Sequence, residues 1–150
     1  MRDYARHVTE IRHQVLRAIC DTVCPPLERT PDPDGFWARS GSDVGADTAL
    51  ETTIEISAWS PVLADRVTDR VRPALGDTPR MAVVDAPDRT RAKGYYTDLA
   101  LRLEVSGPDG PVEVGDGGLT GWTAALTENR KERCLVSCVS TERLLALAGG

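Results

Sequence analysis

The feature that most constrains this chain is an alternating run that turns back on itself. Tyr95, Leu99, Leu101, Leu103 and Val105 fall on one side of a period of two, Pro108-Asp109-Gly110 supplies turn chemistry, and the chain returns through Val112 to Val114. Successive side chains of a strand point to opposite faces, so such a run buries one face and wets the other. A short turn between two such runs lets them pair only antiparallel, because parallel neighbours need a crossover of about a dozen residues or more. The predicted centre of the fold is therefore a hairpin in an antiparallel sheet, with a covered and an uncovered face.

The remaining elements add to that sheet. Tyr4, Val8, Ile11, Val15, Ala18, Ile19 and Val23 recur at steps of three and four, the stripe of an amphipathic helix that must stop before Pro25-Pro26. Residues 27–48, with Thr30-Pro31-Asp32-Pro33-Asp34-Gly35 and a second polar stretch from Gly41 to Asp47, read as loop. Leu50 to Ser57 alternates as a strand. A helix follows, with Ser60 as N-cap, Pro61 in its first position, Leu63, Val67, Val71 and Leu75 inward, and Gly76 at its end. Met81 to Val84 is a short strand. After the hairpin, Gly115-Asp116-Gly117-Gly118 reads as a turn into a short helix at 121–126, then a strand from Cys134 to Val139 and a helix from Ser140 or Thr141 to Leu147. The order is α, β, α, β, β, β, α, β, α. It predicts an α+β domain over residues 1–150, with an antiparallel sheet of about five strands and helices packed mainly on one face.

Charge narrows the function. A net charge of -5 lacks the cation excess with which nucleic-acid binders displace counterions, so no nucleic-acid partner is expected. No run approaches the ~20 apolar residues that span a bilayer, and Met1 to His7 lacks the apolar region of a signal peptide. A cytoplasmic location and no membrane partner are expected. The four cysteines form two i,i+4 pairs, Cys20/Cys24 and Cys134/Cys138. Four residues of strand separate Cys134 from Cys138 by about 13 Å, too far to share one zinc ion. They read as small buried hydrophobes, with a reactive thiol and a metal site as alternatives. No metal and no cofactor is expected, and elemental analysis of the purified protein should find no stoichiometric zinc.

One segment carries a more specific signal. Arg91-Ala92-Lys93-Gly94-Tyr95-Tyr96-Thr97 resembles the R-G-x-D-Y-Y-T signature of the histidyl-tRNA synthetase family, which includes the regulatory subunit of ATP phosphoribosyltransferase. Gly117-Gly118 stands where that family has G-G-R-Y-D, and Thr141-Glu142-Arg143-Leu144-Leu145 where it has G-x-E-R-L, the third class II motif. These pieces keep the family's order across residues 80–148. The resemblance implies a truncated, divergent class II synthetase-like core whose sheet face cradles an amino acid and the phosphates of ATP. By the same resemblance, Arg91 would touch the reacting carboxylate, Tyr95, Tyr96 and Thr97 would line the pocket on a strand, Gly117 and Gly118 would border it, and Arg143 would meet a nucleotide. A guanidinium suits such a place, being planar, bidentate and permanently charged.

Departures from the pattern narrow what the resemblance implies. Leu119-Thr120-Gly121 replaces R-Y-D, Ser140 replaces the glycine before E-R, Asp98 replaces a glycine after Y-Y-T, and Arg102 replaces a glutamate. No second class II motif is present, and aminoacylation of tRNA is not expected. Asp98 becomes a candidate general base. The expected role is a subunit of a hetero-oligomeric enzyme of amino-acid-derived or specialised metabolism, binding a small anionic amino-acid-like substrate between Arg91 and Arg143; a homodimer is the fallback assembly. A noncatalytic subunit sensing an amino acid such as histidine, and a structural partner with a vestigial pocket, are the alternatives. Arg91 and Arg143 also read, more simply, as a solvated loop arginine and a first-turn helix residue. If the resemblance holds, both should face one cleft beside Gly117-Gly118, with an anion normally between them, since two guanidiniums lacking a neighbouring carboxylate repel.

Overall fold

A computed structural model describes residues 2–23, 51–76 and 80–149. Residues 24–50, where the loop was expected, and the side chains of Cys20 and Cys24 lie outside the described residues. α1 (Arg2–Val23) follows its apolar stripe, with Val8, Ile11, Val15, Ala18 and Ile19 buried. Among the described residues no helix is long and apolar enough to cross a membrane.

β1 (Thr52–Ala58) leads into α2 (Pro61–Arg66), a π-helical stretch Val67–Val71, and α3 (Arg72–Leu75). Ser60 sits before α2 in an extended conformation, but its hydroxyl makes no cap bond; its carbonyl receives Ala64 N–H at 2.9 Å. Leu63, Val67, Val71 and Leu75 are all buried although spaced by four. In an α-helix that spacing would rotate the stripe by about 40° per step, because 3.6 residues make a turn. The wider turn corrects the drift, and it is closed by Arg72 N–H on the carbonyl of Val67, five residues back. Pro73, one residue further on, has no N–H to give to an α-helical bond.

The crossover returns the chain to the same end of the sheet, so β2 (Met81–Asp85) pairs with β1 in parallel. The sheet is otherwise antiparallel and five-stranded, as expected; the one parallel pair is a detail that alternation of side chains does not carry, because alternation is blind to strand direction and the helical crossover sets it. β3 (Leu99–Gly107), β4 (Gly110–Thr120) and β5 (Cys134–Val139) complete an order β2-β1-β3-β4-β5, antiparallel from β1 through β5. α4 (Trp122–Thr127) joins β4 to β5, and α5 (Thr141–Gly149) follows β5. Ile54 and Ile56 of β1 and Leu99, Leu101, Leu103 and Val105 of β3 point to one face. There they form a core with α1, the helical crossover and Leu144 of α5.

Two expectations are corrected. Tyr95 and Tyr96 precede the strand rather than belong to it, because residues 92–96 coil into turns in which both amides bond the Ala92 carbonyl. Gly115 to Gly118 is not a turn but the middle of β4. Gly118 is needed there because a Cβ would lie 2.5 Å from the Leu99 carbonyl and 2.6 Å from the Tyr96 ring.

A β-bulge decides which side chains share a face. Leu103 pairs with Gly115 while Glu104 pairs with Glu113, which leaves Val114 as an extra, buried residue. Glu113 and Asp116 are an odd number of residues apart and would ordinarily face opposite ways. Past the bulge, both stand on the face of Arg102 and Glu104, the one turned away from the helices.

Candidate functional site

That second face is charged. On it Glu55, paired in register with Arg102, Glu104, Glu113 and Asp116 come from three adjacent strands. Arg102 lies among them, 2.7 Å from Glu55, 2.7 Å from Glu104 and 3.8 Å from Glu113. Its guanidinium is held above the usual pKa, first by the hydrogen bond to Glu55 and, against burial, by the surrounding carboxylates. Two more arginines reach Glu113 from the periphery. Arg91 meets one carboxylate oxygen at 2.8 Å, and Arg143 meets the other at 3.5 Å while donating to the Glu113 carbonyl at 2.8 Å. Arg91 and Arg143 thus converge, 52 residues apart in sequence, but on a carboxylate of the protein itself. The expectation of a pair lacking such a carboxylate is corrected. Glu113 holds them together against their mutual repulsion, and its side chain is 16% exposed.

Beside this group lies a second one. Arg89 stretches across the face with its side chain 9% exposed, 2.8 Å from Asp116 and within 3.2 Å of the Leu101 carbonyl. Its guanidinium sits 5.6 Å from the centre of the Tyr96 ring, and the Tyr96 hydroxyl donates to the other Asp116 oxygen at 3.2 Å. Tyr96 rests on Gly118, and Tyr95 meets both Tyr96 and Trp122 edge-on, at 5.0 and 5.5 Å between ring centres. Burial, then the charge and hydrogen bond of Asp116, raise the Tyr96 pKa to about 12. A folded-state pKa above the free value near 10 means that the native state keeps its proton where the unfolded chain loses it. The stabilisation is complete below about pH 10 and fades as the pH rises toward 12. Ultraviolet titration should show one phenol ionising last, and Tyr96→Phe should remove that step.

The other residues expected in the site stand apart. Asp98 pairs with Arg133 at 3.3 Å and touches none of the carboxylates or arginines just described. Thr97 is fixed to the end of β4 through the Leu119 carbonyl. Gly117 alternates to the helix-covered face, so only Gly118 borders the site. Sequence reasoning missed Arg89, Glu55, Glu104, Glu113 and Asp116, and named Arg102 only as a departure. The one available signal was the alternation of Arg102 and Glu104 with the buried leucines of β3. Among the described residues no group of three or more His, Cys, Asp or Glu side chains is arranged to hold a metal.

The described chain is thus an α+β protein with a five-stranded, mostly antiparallel sheet, covered by helices on one face and lined with paired charges on the other. No family model and no curated protein matches it. Among solved structures it is similar to the apo histidyl-tRNA synthetase of S. aureus, with 22% identity and a TM-score of 0.48, over 67% of this chain and 30% of that one. The chain therefore spans less than a third of that enzyme's length.

Proposed function

We propose that this chain binds a small amino-acid-like ligand on the charged face of its sheet, as a subunit of a hetero-oligomeric enzyme of amino-acid-derived metabolism, and that it does not aminoacylate tRNA. The observation that supports this most is the meeting of Arg91 and Arg143 on the two oxygens of Glu113. Both arginines keep an exposed side, 65% and 49% of their side chains, from which a ligand carboxylate is reachable. Since each already has a negative partner, a ligand bringing both signs fits better than a plain anion: its carboxylate takes the arginines while its ammonium takes Glu113. The acids of the face are themselves ion paired and Asp98 is tied to Arg133, which favours a second chain as the source of any group that moves a proton.

Calorimetry against a panel of amino acids and their deaminated analogues tests the reading. Arg91→Ala is expected to weaken binding by about 1.5–3 kcal/mol, the range for a lost charged hydrogen bond, with stability nearly unchanged. Arg91→Lys should restore only part, since an ammonium lacks the bidentate geometry. Equal binding of the deaminated analogues would overturn the two-signed ligand, and co-purification without a partner chain would overturn the subunit role.

A further inference from the structure

The two edges of the sheet are built differently. In β2 the carbonyl of Val83 points away from β1, because Arg80 O accepts from Thr52 and Ile56 O accepts from Ala86, which sets the even-numbered residues toward β1. Arg72 fills that outward carbonyl at 2.9 Å and pairs with Asp85 at 2.7 Å. A charged side chain over an edge is a common guard against strand addition.

Among the described residues β5 has no such guard. Its residues, Cys134-Leu135-Val136-Ser137-Cys138-Val139, include no charge and no proline, and among the described residues no strand pairs with its outer side. Ser140 N–H bonds Val114 O at 2.8 Å, and antiparallel alternation then turns the N–H and C=O groups of Cys134, Val136 and Cys138 toward β4. Those of Leu135, Ser137 and Val139 point outward.

We propose that a second copy of this chain adds antiparallel to β5 about a two-fold axis at Val136, joining the two sheets into one. Among the registers that match outward groups with outward groups, this one sets Leu135 against Ser137 of the second copy in hydrogen-bonded pairs. Cys134 then faces Cys138 of the second copy, and Val136 faces its own equivalent, in non-hydrogen-bonded pairs. Such pairs hold Cα atoms about 4.5 Å apart, within the span a disulfide bridges. The strand is its own complement: the two cysteines four residues apart exchange places across the axis, and no like charges meet at the seam. Cys138 pairs in register with Asp116, so the seam runs along the charged face and brings the second copy beside it. This inference does not depend on the ligand.

The test uses the full chain with Cys20→Ser and Cys24→Ser, which leaves only the β5 thiols. Light scattering should give a dimer. Oxidised glutathione should then convert it to a covalent dimer: two thiols give up two protons and two electrons, forming one bridge while the glutathione disulfide becomes two thiols. Neither Cys134→Ser nor Cys138→Ser alone should cross-link, and a mixture of the two variants should. Ser137→Pro removes an outward N–H and no backbone hydrogen bond to β4, so it should give a monomer with an unchanged far-ultraviolet spectrum. A monomeric parent chain, a dimer that resists oxidation, or cross-linking by either single variant alone would overturn the proposal.

Discussion

Replacing Asp116 by alanine is expected to lower the stability of this protein by about 3 kcal/mol in urea denaturation. The estimate follows from what the carboxylate leaves behind. Arg89 is 9% exposed, and its other partners in the structure, the carbonyls of Arg91 and Leu101 and the Tyr96 ring, are all neutral. Breaking one side of a buried ion pair costs about 3–5 kcal/mol because the surviving charge stays out of water uncompensated. Asp116, at 17% exposure, admits some solvent, which places the value at the low end. Tyr96 loses its acceptor in the same variant. A control separates orphaned charge from lost packing: combining Asp116→Ala with Arg89→Met should recover much of the loss. A change below about 0.5 kcal/mol, the size of an ordinary surface substitution, would show that the pair contributes little.

Gly118→Ala should be about as costly, near 3 kcal/mol, the upper end for an added group in a packed interior. The new Cβ meets the Leu99 carbonyl at 2.5 Å and two atoms of the Tyr96 ring at 2.6 and 2.7 Å. The ring can shift, but the carbonyl belongs to the sheet backbone and cannot. Tyr96→Ala in the same chain is therefore expected to relieve only part of the destabilisation. Full rescue would mean that the strands part easily at this point. The measurement is again a urea midpoint, with Tyr96→Ala alone as the reference.

Most of the covered face was legible in the sequence. The stripe of α1 and the alternation of β1 and β3 report burial locally, and the Pro108-Asp109-Gly110 turn, with Pro108 and Asp109 exposed, reports the chain reversal between β3 and β4. The charged face was not, for two physical reasons. Its contacts join residues far apart: the sequence separation is 47 for Glu55 and Arg102, 30 for Glu113 and Arg143, and 22 for Arg91 and Glu113. Charged residues carry no periodic signature of their own, since each is equally at home in solvent. The bulge at Val114 then reverses the parity that a reader would count along β4, so Glu113 and Asp116 look opposed until the register is known. Glycine misled for a related reason. Gly117-Gly118 has turn composition, but the close approach of Tyr96 and of the Leu99 carbonyl, which requires a missing Cβ at Gly118, is a property of the assembled sheet. The direction of β2 depended on the crossover rather than on its five residues.

The ion pairs on the charged face have a consequence for how a ligand arrives. Arg89, Arg91, Arg102 and Arg143 stand against Glu55, Glu104, Glu113 and Asp116, so these groups form an array of alternating sign without a net monopole. The potential of such an array dies away within a few ångströms and draws nothing from a distance, while the chain as a whole, at -5, weakly repels anions. Capture at this face is therefore a short-range exchange of partners, set by how fast Arg91 and Arg143 let go of Glu113. Its association rate should hardly change with added salt, unlike that of a site built to attract.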